Sequence, residues 1–109
     1  MQVIYREEIE LYLSELIAVL FEKEYFGFND SARQYVHELR MAIEKALPII
    51  AIRKKAPEYF SRYGKDLWYI HIRMNKQTTW YAFFSIHRNN LYIVRYITNN
   101  HTEAHLIRS

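Results

Sequence analysis

The period of the apolar residues changes once along this chain, and that change constrains the fold more than any other feature. From Arg6 to Leu47 the apolar side chains recur every three or four residues, as in amphipathic helices. From Leu67 to Thr98 they follow the two-residue period of strands with one buried face. Because helices come first and strands follow, the sequence predicts an α+β protein of two layers.

The helical part predicts an antiparallel hairpin. The first helix is expected from Arg6 to Phe26, with acidic residues in its first turn, and Gly27 is expected at the turn that follows. The second helix is expected to end near Pro48, after an N-cap at Asn29, Asp30 or Ser31. A short β-prone segment, Gln2 to Tyr5, precedes both helices and predicts an opening strand.

The second half of the chain predicts strands joined by short turns. They are expected at Leu67–Met74, Thr78–Ile86, Leu91–Thr98 and, as a short last strand, Ala104–Ile107. Asn89 and Asn90 predict a two-residue hairpin, since asparagine tolerates positive φ. Ile49 to Lys65 contains Pro57 and Gly64 and is expected to be an irregular, basic connection with one helical turn. The length of 109 residues predicts one domain, residues 1–109.

Charge is divided between the two halves of the chain. Residues 1–50 carry five Lys and Arg against nine Asp and Glu, whereas residues 51–109 carry ten against three. A basic half is typical of proteins that bind a phosphate backbone or an acidic protein, and it is also typical of a surface that only keeps a protein soluble. Charge alone does not separate these interpretations.

Several classes of protein are excluded or disfavoured by composition. The chain has no cysteine, which excludes disulfides, thiolate catalysis and thiolate metal sites. No apolar stretch approaches the ~20 residues that span a bilayer, and the first residues lack the pattern of a signal peptide. We therefore expect a cytoplasmic protein without a membrane partner.

One face of the predicted sheet has an unusual composition. The helices are expected to cover the inward set, which comprises Trp68, Ile70, Ile72, Met74, Trp80, Ala82, Phe84 and Ile86. The outward set then comprises Tyr69, His71, Arg73, Thr79, Tyr81, Phe83, Ser85 and His87. Aromatic rings beside cationic or titratable groups favour a nucleic-acid surface, where rings stack on bases and cations hold phosphate. The alternative is that the Ile49–Lys65 connection covers one of the aromatic residues.

The order of elements and three segments resemble the RelE/ParE superfamily of toxins from bacterial type II toxin–antitoxin systems. The segments are "LWYIHIR", "WYAFFSIHRNNLYIVRYI" and "TNNHTEAHLI", and the resemblance extends from Val3 to Leu106. It implies a curved, mostly antiparallel sheet with two helices on one face. It also implies a toxin that cleaves mRNA on the ribosome and so inhibits translation, or a ParE-type inhibitor of DNA gyrase. Either kind is neutralised by a cognate antitoxin protein.

The resemblance also implies a catalytic set. His71 and Arg73 keep the basic or imidazole character of the family's catalytic strand, and His101 or His105 matches a C-terminal acid or base. The family's usual central arginine is replaced here by Trp80 or Tyr81, which leaves open whether the chain is an endoribonuclease or an inactive relative that only binds its antitoxin.

RNA cleavage by attack of the 2′-hydroxyl requires no metal or other cofactor, but it requires a base, an acid and a cation for the phosphorane. We assign proton transfer to His71 and His101, phosphate binding to Arg73 with Arg95, and stacking or orientation to Tyr81. Three alternatives stay open: His71 as a solvated sheet residue, Arg73 paired with Asp66 or Glu103, and Arg95 in an ion pair under the helices.

Further contacts to the nucleic acid are expected from basic and aromatic residues outside the catalytic set. These residues are Arg53, Lys54, Lys55, Lys65, Tyr69 and Arg95. The run from Arg53 to Lys55 could equally be a solvated loop. His101 and His105, with Glu103 between them, would need a third ligand to hold a metal ion, and because the sequence offers none, no metal site is predicted.

Overall fold

The computed structural model describes residues 1–22 and 29–102, with side chains for residues 1–19 and 31–102. Its elements are β1 (Gln2–Tyr5), α1 (Glu7–Glu22), α2 (Asn29–Ala46), β2 (Lys54–Lys55), β3 (Trp68–Arg73), β4 (Thr79–His87) and β5 (Leu91–Asn99). The α+β prediction, with an opening strand, two helices and then strands, is confirmed. The predicted helix end at Phe26, the turn at Gly27 and the strand Ala104–Ile107 lie outside the described residues.

The strands form one sheet in the order β1-β5-β4-β3-β2. β1 lies parallel to β5, and the other neighbours are antiparallel. The sheet is therefore mostly antiparallel, as predicted. β1 and β2 are both short, so each covers only part of the strand beside it.

The inner face of the sheet packs on the two helices, and this layer contains the larger core. Val36, Leu39 and Ile43 of α2 belong to one buried cluster with Ile70 and Phe84 of the sheet. The predicted inward set is confirmed except for Ile86, which is 37 % exposed at the end of β4. Trp80 is buried among the helices, and its indole N–H donates to the Tyr35 hydroxyl at 2.9 Å. That bond satisfies a donor that would otherwise be buried unpaired.

Polar contacts fix the helix hairpin to the edge of the sheet. Arg40 of α2 donates to both carboxylate oxygens of Glu10 in α1, and its guanidinium lies 4.4 Å from the ring centroid of Tyr5. The Tyr5 hydroxyl donates to Glu44 at 2.9 Å. Burial, together with that bond, raises the pKa of Tyr5 above its ordinary value. β1, α1 and α2 are thus joined at one corner.

The connection between α2 and β3 is more ordered than its sequence indicates. It contains two 3-10 helices, Ile50–Ile52 and Glu58–Tyr63, and the strand β2, which pairs with the start of β3. Phe60 of the second 3-10 helix is fully buried against the outer face of the sheet, 4.3 Å from Phe83 between ring centroids. We name this packing the outer aromatic cluster; it comprises Phe60, Leu67, Tyr69 and Phe83, with Ala56, Tyr63, Tyr81 and Tyr96 partly buried around them.

The hairpin between β4 and β5 has a loop of three residues rather than two. His87 pairs with Leu91, which leaves the 3-10 turn Arg88–Asn90 as the loop. Asn89 and Asn90 both adopt positive φ, 63° and 56°. The prediction that both asparagines adopt positive φ is therefore confirmed. The predicted loop of two residues is one residue too short.

β5 contains a β-bulge at Arg95. Phe84 pairs with Val94 and Phe83 with Tyr96, so Arg95 has no partner in β4. Val94 and Ile97 both lie in the inner core, whereas Tyr96 belongs to the outer aromatic cluster. The bulge thus shifts the alternation of β5 by one residue and brings Arg95 to the outer face beside Tyr96.

Candidate nucleic-acid interface

The predicted catalytic residues of the sheet share one end of its outer face. His71 of β3 pairs in register with Tyr81 of β4, and Arg73 pairs with Thr79. His71 and Arg73 are exposed, and Tyr81 is half-buried at the border of the outer aromatic cluster. Because side chains two residues apart on a strand share a face, the three functional groups point to the same side.

The turn between β3 and β4 brings a fourth residue to this end. The Asn75 carboxamide oxygen accepts hydrogen bonds from the backbone N–H groups of Gln77 and Thr78, each at 2.9 Å. The Thr78 hydroxyl lies 3.2 Å from Nε2 of His101, which follows β5. We name His71, Arg73, Tyr81 and His101 the polar end of the sheet.

A second set of bonds holds the end of β5 against the same turn. Asn100 accepts a hydrogen bond from Thr79 N–H at 2.9 Å and donates one to the Gln77 carbonyl at 2.9 Å. His101 therefore does not depend on its own contact with Thr78 for its position. Its predicted alternative, His105, lies outside the described residues.

Arg73 is held by the backbone rather than by a carboxylate. Its Nε donates to the Asn75 carbonyl at 3.2 Å and one terminal nitrogen donates to the Lys76 carbonyl at 3.1 Å. The alternative pairing with Asp66 is not found, and Glu103 lies outside the described residues. An arginine has five N–H donors, so these two contacts orient the guanidinium and leave donors for a phosphate oxygen.

Tyr69 is not placed to stack on a base. It is 2 % exposed, and its ring stacks on Phe83 at 5.4 Å within the outer aromatic cluster. Burial raises the pKa of its hydroxyl. The expectation of an open aromatic face is wrong for Tyr69 and Phe83, which are both buried in this cluster. Phe60 of the connection packs on Phe83, so the alternative, in which the connection covers one aromatic residue, is confirmed.

The basic run from Arg53 to Lys55 does not act as one surface. Arg53 turns inward: its guanidinium lies between 5.8 and 5.9 Å from the rings of Trp68, Phe84 and Tyr92 and donates to the Leu47 carbonyl at 3.1 Å. It therefore stabilises the end of α2, where a cation is favoured. Lys54 and Lys55 are exposed, but Lys55 lies 4.6 Å from the Trp68 ring.

Lys65 and Arg95 lie apart from the polar end. Lys65 is exposed just before β3. Arg95 donates from Nε to the Ser85 hydroxyl at 2.8 Å, and that hydroxyl lies 2.8 Å from Nε2 of His87. The predicted alternative, an ion pair of Arg95 under the helices, is therefore wrong.

Sequence reasoning did not find the chain of polar side chains formed by Arg95, Ser85 and His87. Ser85 and His87 are two residues apart on β4, and this spacing predicts that their side chains share a face of the sheet. The position of Arg95 depends on the bulge, which has no sequence signature here.

No protein-family model, no curated protein and no solved structure matches this chain. Among the side chains that the structure describes, those of residues 1–19 and 31–102, no three of His, Asp or Glu form a group that could hold a metal ion. Within residues 1–22 and 29–102, no helix has the length and apolar content needed to cross a bilayer.

Proposed function

We propose that this protein is a RelE/ParE-like toxin, neutralised by a cognate antitoxin, that binds mRNA on the ribosome and cleaves it at the polar end of the sheet. One observation supports this proposal above the others: His71, Arg73 and Tyr81 meet on an uncovered end of the outer face, where the β3–β4 turn also holds His101. Each of these side chains suits a step in phosphodiester cleavage.

The chemistry divides among these side chains by type. One imidazole removes the proton of the 2′-hydroxyl, and the other protonates the departing 5′-oxygen, since histidine is the side chain that most often serves as general base or general acid. Arg73 stabilises the negative charge that develops on the phosphorane, and its two backbone contacts fix it in place beforehand. Tyr81 lies beside His71 and orients the nucleotide.

A second candidate is a non-catalytic toxin or relative, either a ParE-type gyrase inhibitor or a protein that only binds its antitoxin. The feature that favours it is the absence of the arginine that the resemblance leads us to expect, since the chain has Trp80 or Tyr81 at that position. Trp80 is 2 % exposed and lies in the inner core, and Tyr81 carries no charge at neutral pH, so neither replaces a cation at the polar end. The covered aromatic face also reduces the surface available for bases.

Expression of the chain in bacteria with mapping of mRNA ends tests the proposal. We expect growth arrest with ribosome-dependent cleavage, and we expect His71→Ala or Arg73→Ala to reduce cleavage by about 100-fold or more, as for loss of a general base or a charge-stabilising donor. His37→Ala and Arg33→Ala are matched controls, since both residues are exposed on α2, on the opposite side of the sheet.

The second candidate gives different results in the same cells. Growth arrest with broken DNA and intact mRNA would establish the gyrase-directed alternative and refute the nuclease. Normal growth, despite abundant folded protein and no antitoxin gene in the strain, would refute both toxin activities.

A further inference from the structure

The segment between α2 and β2 exposes an unbroken run of apolar side chains. Residues 48–52, with the sequence PIIAI, are all exposed, and Ile50 is 75 % exposed. Ala46 and Leu47, which precede the run, are buried in the inner core. The core therefore ends at Leu47, and the isoleucines that follow lie outside it. Such a run of consecutive exposed apolar residues is uncommon on a folded domain unless it serves a function.

Hydrogen bonds hold this run in a defined conformation. The backbone N–H groups of Ile49, Ile52 and Arg53 each donate to the carbonyl three residues earlier, at 3.0 to 3.4 Å. The Arg53 guanidinium then donates back to the Leu47 carbonyl at 3.1 Å. Because these backbone donors are satisfied locally, the isoleucine side chains can leave water without leaving those N–H groups unpaired. We name Ile49, Ile50 and Ile52 the isoleucine patch.

The isoleucine patch is flanked by cations and by no acidic residue. Residues 45–57 contain Lys45, Arg53, Lys54 and Lys55, but no Asp or Glu. The three lysines are exposed, and neither ion pair among the described residues involves them. Lys54 and Lys55 follow the patch directly along the chain. Apolar side chains and uncompensated positive charge therefore occupy one small surface.

This combination distinguishes between the possible occupants of the surface. Nucleic acid would be attracted by the lysines, but the isoleucines have no aromatic ring on which a base could stack. A symmetric contact between two copies of the chain would bring the lysines of both copies together, and like charges oppose such a contact. A bilayer with anionic lipids matches both features, since apolar side chains enter the acyl boundary and the headgroups attract cations.

We propose that the protein binds the surface of an anionic membrane through the isoleucine patch. The three isoleucines enter the boundary between headgroups and acyl chains, and Lys54 and Lys55 lie at the level of the lipid phosphates. The protein rests on the bilayer and does not cross it. Our expectation of no membrane partner was based on the lack of a spanning segment and of a signal peptide, neither of which a surface contact requires. The proposal is independent of RNA cleavage at the polar end.

Co-sedimentation of the full chain with lipid vesicles tests the proposal. One preparation contains phosphatidylcholine alone, and the other contains phosphatidylcholine and phosphatidylglycerol in a ratio of about 7 to 3, both in about 0.1 M salt. We expect the affinity for the anionic vesicles to be higher by about 10-fold or more, because each cation near an anionic surface contributes about 5-fold.

Substitution of an isoleucine separates apolar insertion from attraction by charge. Ile50→Ser should weaken binding to the anionic vesicles by about 10-fold or more, because its large apolar side chain is no longer available for burial. Val19→Ser is the matched control. Val19 is an exposed apolar residue of α1, and the contact of Glu10 with Arg40 shows that the later part of α1 extends away from the end of α2. Its affinity should stay within about two-fold of the unmodified chain.

Substitution of the lysines tests the charge. Lys54→Gln combined with Lys55→Gln should weaken binding by about 25-fold, which is about 5-fold for each charge. Arg33→Gln is the control, since Arg33 is an exposed cation near the start of α2, far along the helix from the isoleucine patch. Circular dichroism confirms that each variant is folded, and each substituted side chain lies outside the two buried clusters.

Four results would overturn the proposal. The first is no binding of the unmodified chain to the anionic vesicles. The second is equal binding of Ile50→Ser, which would show attraction by charge alone. The third is a loss in Val19→Ser or Arg33→Gln as large as in the patch variants, which would place the contact elsewhere. The fourth is a dimer that Ile50→Ser dissociates, without vesicle binding by the unmodified chain, which would identify a second copy as the occupant.

Discussion

The two faces of the sheet are covered in different ways. The inner face is covered by α1 and α2, whose apolar side chains recur with helical spacing and bury a mostly aliphatic core around Leu39, Ile43 and Ile70. The outer face is covered by a single short 3-10 helix, through one deeply buried ring, Phe60. The two helices thus cover the inner face completely. On the outer face, Phe60 and its 3-10 helix, which we name the plug, cover only the centre and leave the polar end exposed.

This difference matters for function because the outer face carries exposed polar side chains, among them His71 and Arg73. The inner face presents its sheet residues to the helices and has no access for a ligand at its centre. On the outer face, the polar end lies on one side of the plug, and Arg95 with Ser85 and His87 lies on the other. Tyr81 and Ser85 are four residues apart, about 13 Å along a strand, so the plug separates two distinct polar regions.

The largest expected effect comes from removing the plug. Phe60→Ala should lower the free energy of unfolding by about 3–4 kcal/mol, because a buried aromatic side chain is lost from a packed cluster. Urea denaturation measures it, and Tyr59→Ala, at a neighbouring residue that is 46 % exposed, is the control. A loss near zero, or a separate early transition, would show that the outer cover unfolds independently of the inner core.

A smaller effect is expected at the end of the same 3-10 helix. Gly64 has a φ of 153°, and a Cβ added there would lie 2.9 Å from Cδ of Arg95. Gly64→Ala should therefore destabilise the protein by about 2 kcal/mol, from backbone strain and displacement of Arg95.

A thermal melt of Gly64→Ala, alone and combined with Arg95→Ala, separates these two causes. If strain in the backbone dominates, the Gly64→Ala substitution will cost the same in the Arg95→Ala variant as in the unmodified chain. If the clash dominates, Arg95→Ala will remove most of the cost, because its side chain ends at Cβ and the clashing Cδ is absent.

Tyr35→Phe tests the inner face with a change of one atom. Loss of the hydroxyl leaves the indole N–H of Trp80 buried without its described acceptor, which should cost about 1–2 kcal/mol. Chemical denaturation measures the loss, and Trp80 fluorescence reports whether the ring moves. Tyr59→Phe removes a hydroxyl from an exposed ring and should change stability little; a comparable loss there would contradict the explanation.

The smallest expected effect is pH dependence in the helix layer. Hydrogen bonds from Arg40 lower the pKa of Glu10, so the pair contributes stability above the ordinary glutamate pKa of about 4.3 and loses it as the pH falls through the lowered value. Because the pair is largely solvent-accessible, the loss between pH 6 and acid should be about 0.5 kcal/mol. Glu10→Gln should abolish that part of the dependence.

Acid should destabilise the helices on the inner face more than the 3-10 helix on the outer face. Both ion pairs among the described residues, Arg6–Glu8 and Arg40–Glu10, involve α1, and neither lies in the 3-10 helix on the outer face. Hydrogen exchange at low pH should therefore increase first in the helices. Earlier exchange around Phe60 would contradict this assignment of the acid-sensitive contacts.

The packing of the helices on the inner face was predictable from the sequence. The packing of the 3-10 helix on the outer face was not. The spacing of Ile9, Leu13 and Leu16 has only one helical interpretation, and the alternation from Trp68 to Met74 fixes which face of β3 meets the helices. Phe60 follows Pro57 and precedes Gly64 in a segment without period, so its burial is decided by tertiary packing with Phe83. The rings assigned to nucleic acid were buried for the same reason.

The candidate site was predicted in part. The alternation of β3 is sufficient to place His71 and Arg73 on one face, and the register with β4 adds Tyr81. The position of His101 depends on hydrogen bonds between the end of β5 and the β3–β4 turn, which involve Asn100 and Thr78. No spacing in the sequence predicts these bonds. Arg53 and Arg95 were misplaced because aromatic contacts and the bulge, rather than charge, determine where their guanidinium groups lie.

The bulge at Arg95 also divides β5 into two strands of different character. Up to Val94 the strand has neighbours on both sides; beyond Arg95, among the residues that the structure describes, only β4 pairs with it. A charged residue beside an unpaired stretch of strand opposes pairing between copies of a chain. We therefore expect that neutralising Arg95 lowers solubility at high concentration before it lowers thermal stability.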